Sequence, residues 1–152
     1  MTEPTIAPEP LASPDARALV ARLDAELTER YPNPADNHLT LAAEEVSDGR
    51  GVFLVARADG HPVGCGAVRR IDPATGEIKR MYVAPSQRSR GLGGRLLAEL
   101  ERHARGLGLR RLVLETGERQ PESIRVYERA GFVRIARFGE YLDSPASVCM
   151  GK

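Results

Sequence analysis

Three glycines and two arginines fall within eight residues at Gln87-Arg88-Ser89-Arg90-Gly91-Leu92-Gly93-Gly94. Leu92, Leu96, Leu97, Leu100, Ala104 and Leu107 then recur at helical spacing, so the loop leads into a helix N-terminus. At such a junction missing Cβ atoms let a ligand approach the backbone, the first-turn amides point at it, and the helix dipole favours negative charge. The chemistry this suits is the holding of a pyrophosphate. The pattern is neither G-x-x-x-x-G-K-[ST] nor G-x-G-x-x-G, so nucleotide hydrolysis and dinucleotide redox chemistry lack their usual support. The same residues also suit an ordinary turn before a helix, and the loop alone leaves both readings open.

No other short motif carries chemistry by itself. Cys65 and Cys149 are too far apart for a metal or redox spacing, and His38, His61 and His103 are scattered, so no metal site is expected. Cys65 lies in an apolar strand with no adjacent histidine and reads as a core cysteine, not a nucleophile. The 152-residue chain carries a net charge of +1, unevenly spread. Residues 1–87 hold nine Lys or Arg against thirteen Asp or Glu, and residues 88–152 hold thirteen against eight. A basic second half of this kind suits a small anionic ligand better than a nucleic acid, which calls for a domain-wide basic surface. The longest apolar run, Val52 to Ala56, is far short of a bilayer span, and the opening MTEPTIAPEP is not a secretory signal. A cytoplasmic protein without membrane or nucleic-acid partners is expected.

The elements that must position the loop follow from punctuation and periodicity. Residues 1–13, with three prolines, read as a flexible leader before one domain over 14–152. Ser13-Pro14-Asp15 starts a helix that runs to Arg30, and Tyr31-Pro32-Asn33-Pro34 ends it before a weaker helical segment reaching Val46. Strands are expected over Val52–Arg57 and Val63–Ile71, joined at Asp59-Gly60, and over Ile78–Val83. After the loop and its helix come a strand at Arg111–Glu115, a helix at Glu122–Ala130, a strand at Phe132–Phe138 and a short strand near Val148. This order describes a mixed α/β sheet in which Ile78–Val83 and Leu112–Leu114 are parallel neighbours across a βαβ crossover. Open α/β sheets bind ligands at the carboxyl ends of such strands.

With those elements in place the sequence resembles the GNAT superfamily of acetyl-CoA-dependent N-acetyltransferases. Arg88-Ser89-Arg90-Gly91-Leu92-Gly93 fits the family's [QR]-x-x-G-x-[GA] loop after the strand Glu77 to Val83. Gln120 to Phe132 fits its N-x-x-A-x-x-x-Y-x-x-x-G-F segment, with Gln120 in place of Asn and Ser123 in place of Ala. The resemblance covers Val52 to Phe138. It implies a mixed, mostly antiparallel sheet of six to seven strands with a parallel βαβ acyl-CoA unit and about four helices.

The resemblance also implies roles. Met81, Tyr82 and Val83 would meet the pantetheine arm, with the Val83 amide stabilising the oxyanion. Amides around Arg88, Ser89, Arg90, Gly91, Leu92, Gly93 and Gly94 would hold the pyrophosphate, with the Arg88 or Arg90 guanidinium adding bonds. Gln120 and Ser123 would lie along the coenzyme arm. An attacking amine must first lose a proton, and Glu77 is the candidate base, directly or through water; the same carboxylate also suits a salt bridge. Tyr127 matches the family's general acid for the leaving thiolate. Acceptor contacts would fall among Tyr31, Asn37, His38, Glu140 and Tyr141. A small-molecule primary amine is the expected acceptor and a metal is not implied. The alternatives are a protein N-terminus or lysine as acceptor, and a non-catalytic acyl-CoA-binding module. Pairing of two copies through Val148 to Lys152 would give a homodimer.

Overall fold

The structure, a computed structural model, describes residues 3–36 and 41–152. Helix α1 (Pro14–Arg30) begins where the sequence places it: Ser13 Oγ accepts from the Ala16 amide, proline occupies the first turn, and Arg30 stands in the last. Strands β2 (Gly51–Ala58) and β3 (His61–Asp72) form a hairpin whose turn residues Asp59 and Gly60 have φ of 51° and 81°. That left-handed pair matches the twist of the strands it joins. Strand β4 (Thr75–Val83) continues the antiparallel meander, α2 (Leu92–Gly106) crosses over, and β5 (Arg111–Gly117) returns parallel to β4. Helix α3 (Pro121–Arg129), β6 (Val133–Ile135) and β7 (Ser147–Gly151) complete the described elements.

Among the described residues, seven strands form one sheet in the order β1-β2-β3-β4-β5-β7-β6, where β1 is Thr5–Pro8. Helices cover both faces, so strand side chains are apolar in both directions. Leu54, Val68, Ile78 and Leu114 pack against Leu96, Leu97 and Leu100 of α2, while Phe53, Val55, Cys65 and Ala67 pack against Leu19 and Leu23 of α1. Among the described residues, no helix is long and apolar enough to cross a membrane.

Four details differ from the sequence reading. Within the expected leader, Thr5–Pro8 pairs antiparallel with Leu54–Arg57; proline is tolerated there because an edge strand leaves one row of amides without a ladder partner. Among its described residues, the segment expected to be helical up to Val46 holds two 3-10 turns, Pro34–Asp36 and Ala43–Val46. Pro34 removes an amide from the first, and the second buries no residue that would hold a longer helix. The strand expected to reach Phe138 stops at Ile135. Finally, Cys149 to Gly151 are flanked by β5 on one side and β6 on the other, so the terminal run is not a free edge for a second copy.

Candidate active site

A bulge opens the sheet at its middle. Strand β4 pairs with β5 only from Thr75↔Arg111 to Ile78↔Leu114. Against β3 the register steps from Ala67↔Lys79 to Cys65↔Tyr82, which puts one extra residue on β4. Arg80 absorbs it at φ 58°, a backbone region that residues with side chains seldom occupy. Its guanidinium donates to the Asp24 carboxylate and to the Val20 carbonyl on α1, and burial pushes its pKa down to about 10. An extra residue bends a strand and increases its twist, so Lys79 to Val83 diverge from β5. The Ala84 amide donates to Val63 O on the β3 side. By alternation along the strand, the Val83 amide and carbonyl therefore face the gap.

A cleft of about 840 Å³ follows that gap from the N-terminus of α2 to Tyr127, within the size range of small-molecule sites. Gly91 caps α2 at φ 82° and no side chain caps the helix, so its first-turn amides are left for a ligand. A Cβ built on Gly91 or Gly94 would meet no atom within 4 Å, and both residues line the cleft. Gly93 turns toward α3, where a Cβ would lie 3.4 Å from Val126. Met81, Tyr82, Val83, Ser89 and Leu92 also line the cleft. The two arginines differ from backbone in their placement. Arg88 donates to Val83 O at 2.9 Å and to Glu26 Oε2 at 2.7 Å and lies over the Tyr82 ring, whereas Arg90 is exposed and outside the lining.

Gln120 and Ser123 begin α3 and line the cleft. Tyr127, one turn further on, is 7% exposed and stands edge-on to Phe132. It borders both the cleft and a smaller cavity of about 80 Å³ behind the bulge. Burial, with the Glu115 charge adding, raises its phenol pKa above the ordinary value, so the hydroxyl keeps its proton.

Tyr141 lines the smaller cavity and donates to Glu77 Oε2 at 2.5 Å. Glu77 is 1% exposed and borders neither cavity; its other oxygen takes two bonds from Arg69, which also holds Glu45. Lys79, Glu115 and Thr116, which the sequence reading did not single out, line the smaller cavity. The available signal was the adjacent Lys79 and Arg80 set between Ile78 and Met81 of β4. Tyr31 is buried, with its hydroxyl accepting the Arg119 amide at 2.9 Å, and Glu140 is exposed; neither lines a cavity. Asn37 and His38 lie outside the described residues.

Comparison with known proteins identifies the family and the fold. The family model described as Acetyltransferase (GNAT) family matches residues 16–132. An IAA acetyltransferase of Azospirillum brasilense is 39% identical over all of this chain and 99% of its own length. The N-acetyltransferase YsnE of Bacillus subtilis, itself uncharacterized, is 30% identical over 79% of this chain and 81% of its own. A Klebsiella pneumoniae protein assigned as an acyl-CoA N-acyltransferase superposes with a TM-score of 0.82 at 34% identity, covering 98% of this chain and 96% of that one. A GNAT-family acetyltransferase of Elizabethkingia anophelis, solved with acetyl-CoA bound, shares the fold with a TM-score of 0.71 at 21% identity, covering 99% of this chain and 98% of that one. An uncapped glycine cradle, a bulged strand and a buried tyrosine in one cleft thus occur in a chain that belongs to the GNAT family of acetyltransferases.

Proposed function

We propose that the protein moves an acetyl group from acetyl-CoA directly to a primary amine of a small molecule. The observation that carries this reading is the continuity of the cleft: it runs from the α2 amides past the β4 edge to Tyr127, and the smaller cavity meets it there. The open space beyond Gly91 and Gly94 fits the close approach of a pyrophosphate to backbone amides. The β4 edge offers amides and carbonyls to an extended pantetheine arm as a neighbouring strand would.

In this arrangement the amine enters from the smaller cavity and loses its proton to the Tyr141 hydroxyl, which passes its own proton to Glu77. Nitrogen then bonds to the thioester carbon, the Val83 amide faces the oxygen that gains charge, and the carbon–sulfur bond breaks toward the protonated Tyr127. Both cysteines are buried, which favours direct transfer over a cysteine-bound acetyl group.

Free-thiol release from acetyl-CoA over a panel of amines and peptides tests the proposal, with IAA included because the Azospirillum relative carries that name. Amine-dependent release that falls in Tyr127→Phe and Glu77→Gln supports it. Coenzyme binding with no release from any acceptor overturns it in favour of a binding module.

A further inference from the structure

Lys79 has no role in the reaction outlined above. It follows the last β4–β5 pair, is 7% exposed, and lines the smaller cavity beside Tyr127 and Tyr141. The neighbouring acids have other partners. Glu45 and Glu77 bind Arg69, Asp24 binds Arg80, and Glu115 accepts from Ser147 Oγ at 2.5 Å. Among the described residues no ion pair or hydrogen bond involves the Lys79 ammonium. The Glu45 carboxylate feels the Lys79 charge at longer range, and among the described residues no buried side-chain nitrogen lacks a hydrogen bond, so the ammonium keeps an accessible surface at which a ligand can meet it. A lysine held this way, against a cavity that opens toward the transfer site, matches an anion brought by a ligand.

Resting on the acetyl-transfer reading, we infer that the acceptor is an amine that also carries a carboxylate, and that Lys79 binds that carboxylate in the smaller cavity. Three features narrow the acceptor. The cavity, at about 80 Å³, takes a small group. A single ammonium balances the one charge of a carboxylate, whereas a phosphate monoester brings close to two. Leu23 and Leu27 supply an apolar wall on the α1 side, which fits an aliphatic substituent. The acceptor class is thus a small amino acid-like molecule, oriented with its carboxylate away from the coenzyme and its amine toward Tyr127. Lys79 binds and orients; it moves no proton.

The test compares acceptors that differ only in charge. The standard α-amino acids, their amides, the matching decarboxylated amines and aminoethyl phosphate are assayed for thiol release with wild type, Lys79→Gln and Lys79→Arg. The proposal expects the best acceptors to carry a carboxylate. It also expects Lys79→Gln to raise their KM by about ten- to a hundredfold, as for loss of a charged hydrogen bond, with kcat nearly unchanged. Lys79→Arg should recover part of that loss, and KM for the amides should not move.

Equal use of amides or plain amines by wild type, a preference for the phosphate compound, or equal losses for charged and uncharged acceptors in Lys79→Gln overturns the proposal while leaving acetyl transfer intact. The wild-type comparison decides the point even if the variants fold poorly. If no acceptor releases thiol, calorimetry of the same amino acids with coenzyme A-loaded protein separates the two readings. Binding that Lys79→Gln abolishes retains the carboxylate site and overturns transfer, and absence of binding overturns both.

Discussion

The hydroxyl of Tyr141 donates to Glu77 Oε2 at 2.5 Å, and this bond links the buried Glu77 carboxylate to a residue that lines the smaller cavity. If that bond is the proton path, Tyr141→Phe and Glu77→Gln cut the same path. Each should lower kcat by about a hundredfold or more, and the double variant should be no slower than the worse single one. Steady-state rates of the three variants check this, and losses that multiply would show two independent roles.

Tyr127 should act on rate and not on coenzyme affinity. Replacing it with Phe removes the hydroxyl and keeps the ring against Phe132, so kcat should fall by about a hundredfold. Coenzyme binding by calorimetry should stay close to wild type.

Alkaline stability should report the same phenols. Burial raises both Tyr127 and Tyr141 above the ordinary value of 10.0. A folded-state pKa raised above the unfolded one gives stability that is complete below the unfolded value and is lost as pH climbs past it. The Tm should therefore decline above pH 10, and Tyr127→Phe should flatten that decline. Melting curves from neutral pH upward provide the measurement.

Neither cysteine should react in the native protein. Burial pushes the Cys65 thiol up to about 12 and raises Cys149 as well, so thiolate is scarce at neutral pH. Thiol reagents should label both only after unfolding, and acetyl-CoA should leave no acetyl-cysteine detectable by mass spectrometry.

Two glycines should respond in opposite ways to alanine. At Gly117 a Cβ would fall 1.7 Å from Tyr31 Oη, so Gly117→Ala should destabilise by about 1–3 kcal/mol as an overpacking change. At Gly94 a Cβ meets no atom within 4 Å, so Gly94→Ala should leave stability unchanged or raise it by about 0.5 kcal/mol. It should weaken coenzyme binding, because the methyl group enters the cleft. Denaturation curves and coenzyme titrations separate the two effects.

These expectations rest on a fold whose centre was legible in the chain. The Asp59-Gly60 turn, the leucine spacing from Leu92 to Ala104 and the glycine loop between them are local signals, and the structure realises each as hairpin, helix and cradle. The bulge was not legible, because a left-handed Arg80 depends on Asp24, 56 residues away in sequence. Lys79 and Glu115 were missed for a related reason. A charged residue in a strand reads as solvent-facing until the neighbouring strand is seen to diverge. Tyr31 showed the reverse: an aromatic beside two prolines reads as a loop residue, yet its ring fills the space over Gly117.

The pairing of Thr5–Pro8 with β2 extends this to the outer end of the sheet. Phe53 to Ala56 are buried and apolar, and their outward backbone groups are met by Ile6, Ala7, Pro8 and the Glu9 amide. Chains shortened past Pro10 would present that row uncovered, a template for strand addition between molecules. A trimmed expression product should therefore lose solubility before it loses its capacity to bind coenzyme, since the glycine cradle lies a helix and three strands further along the chain.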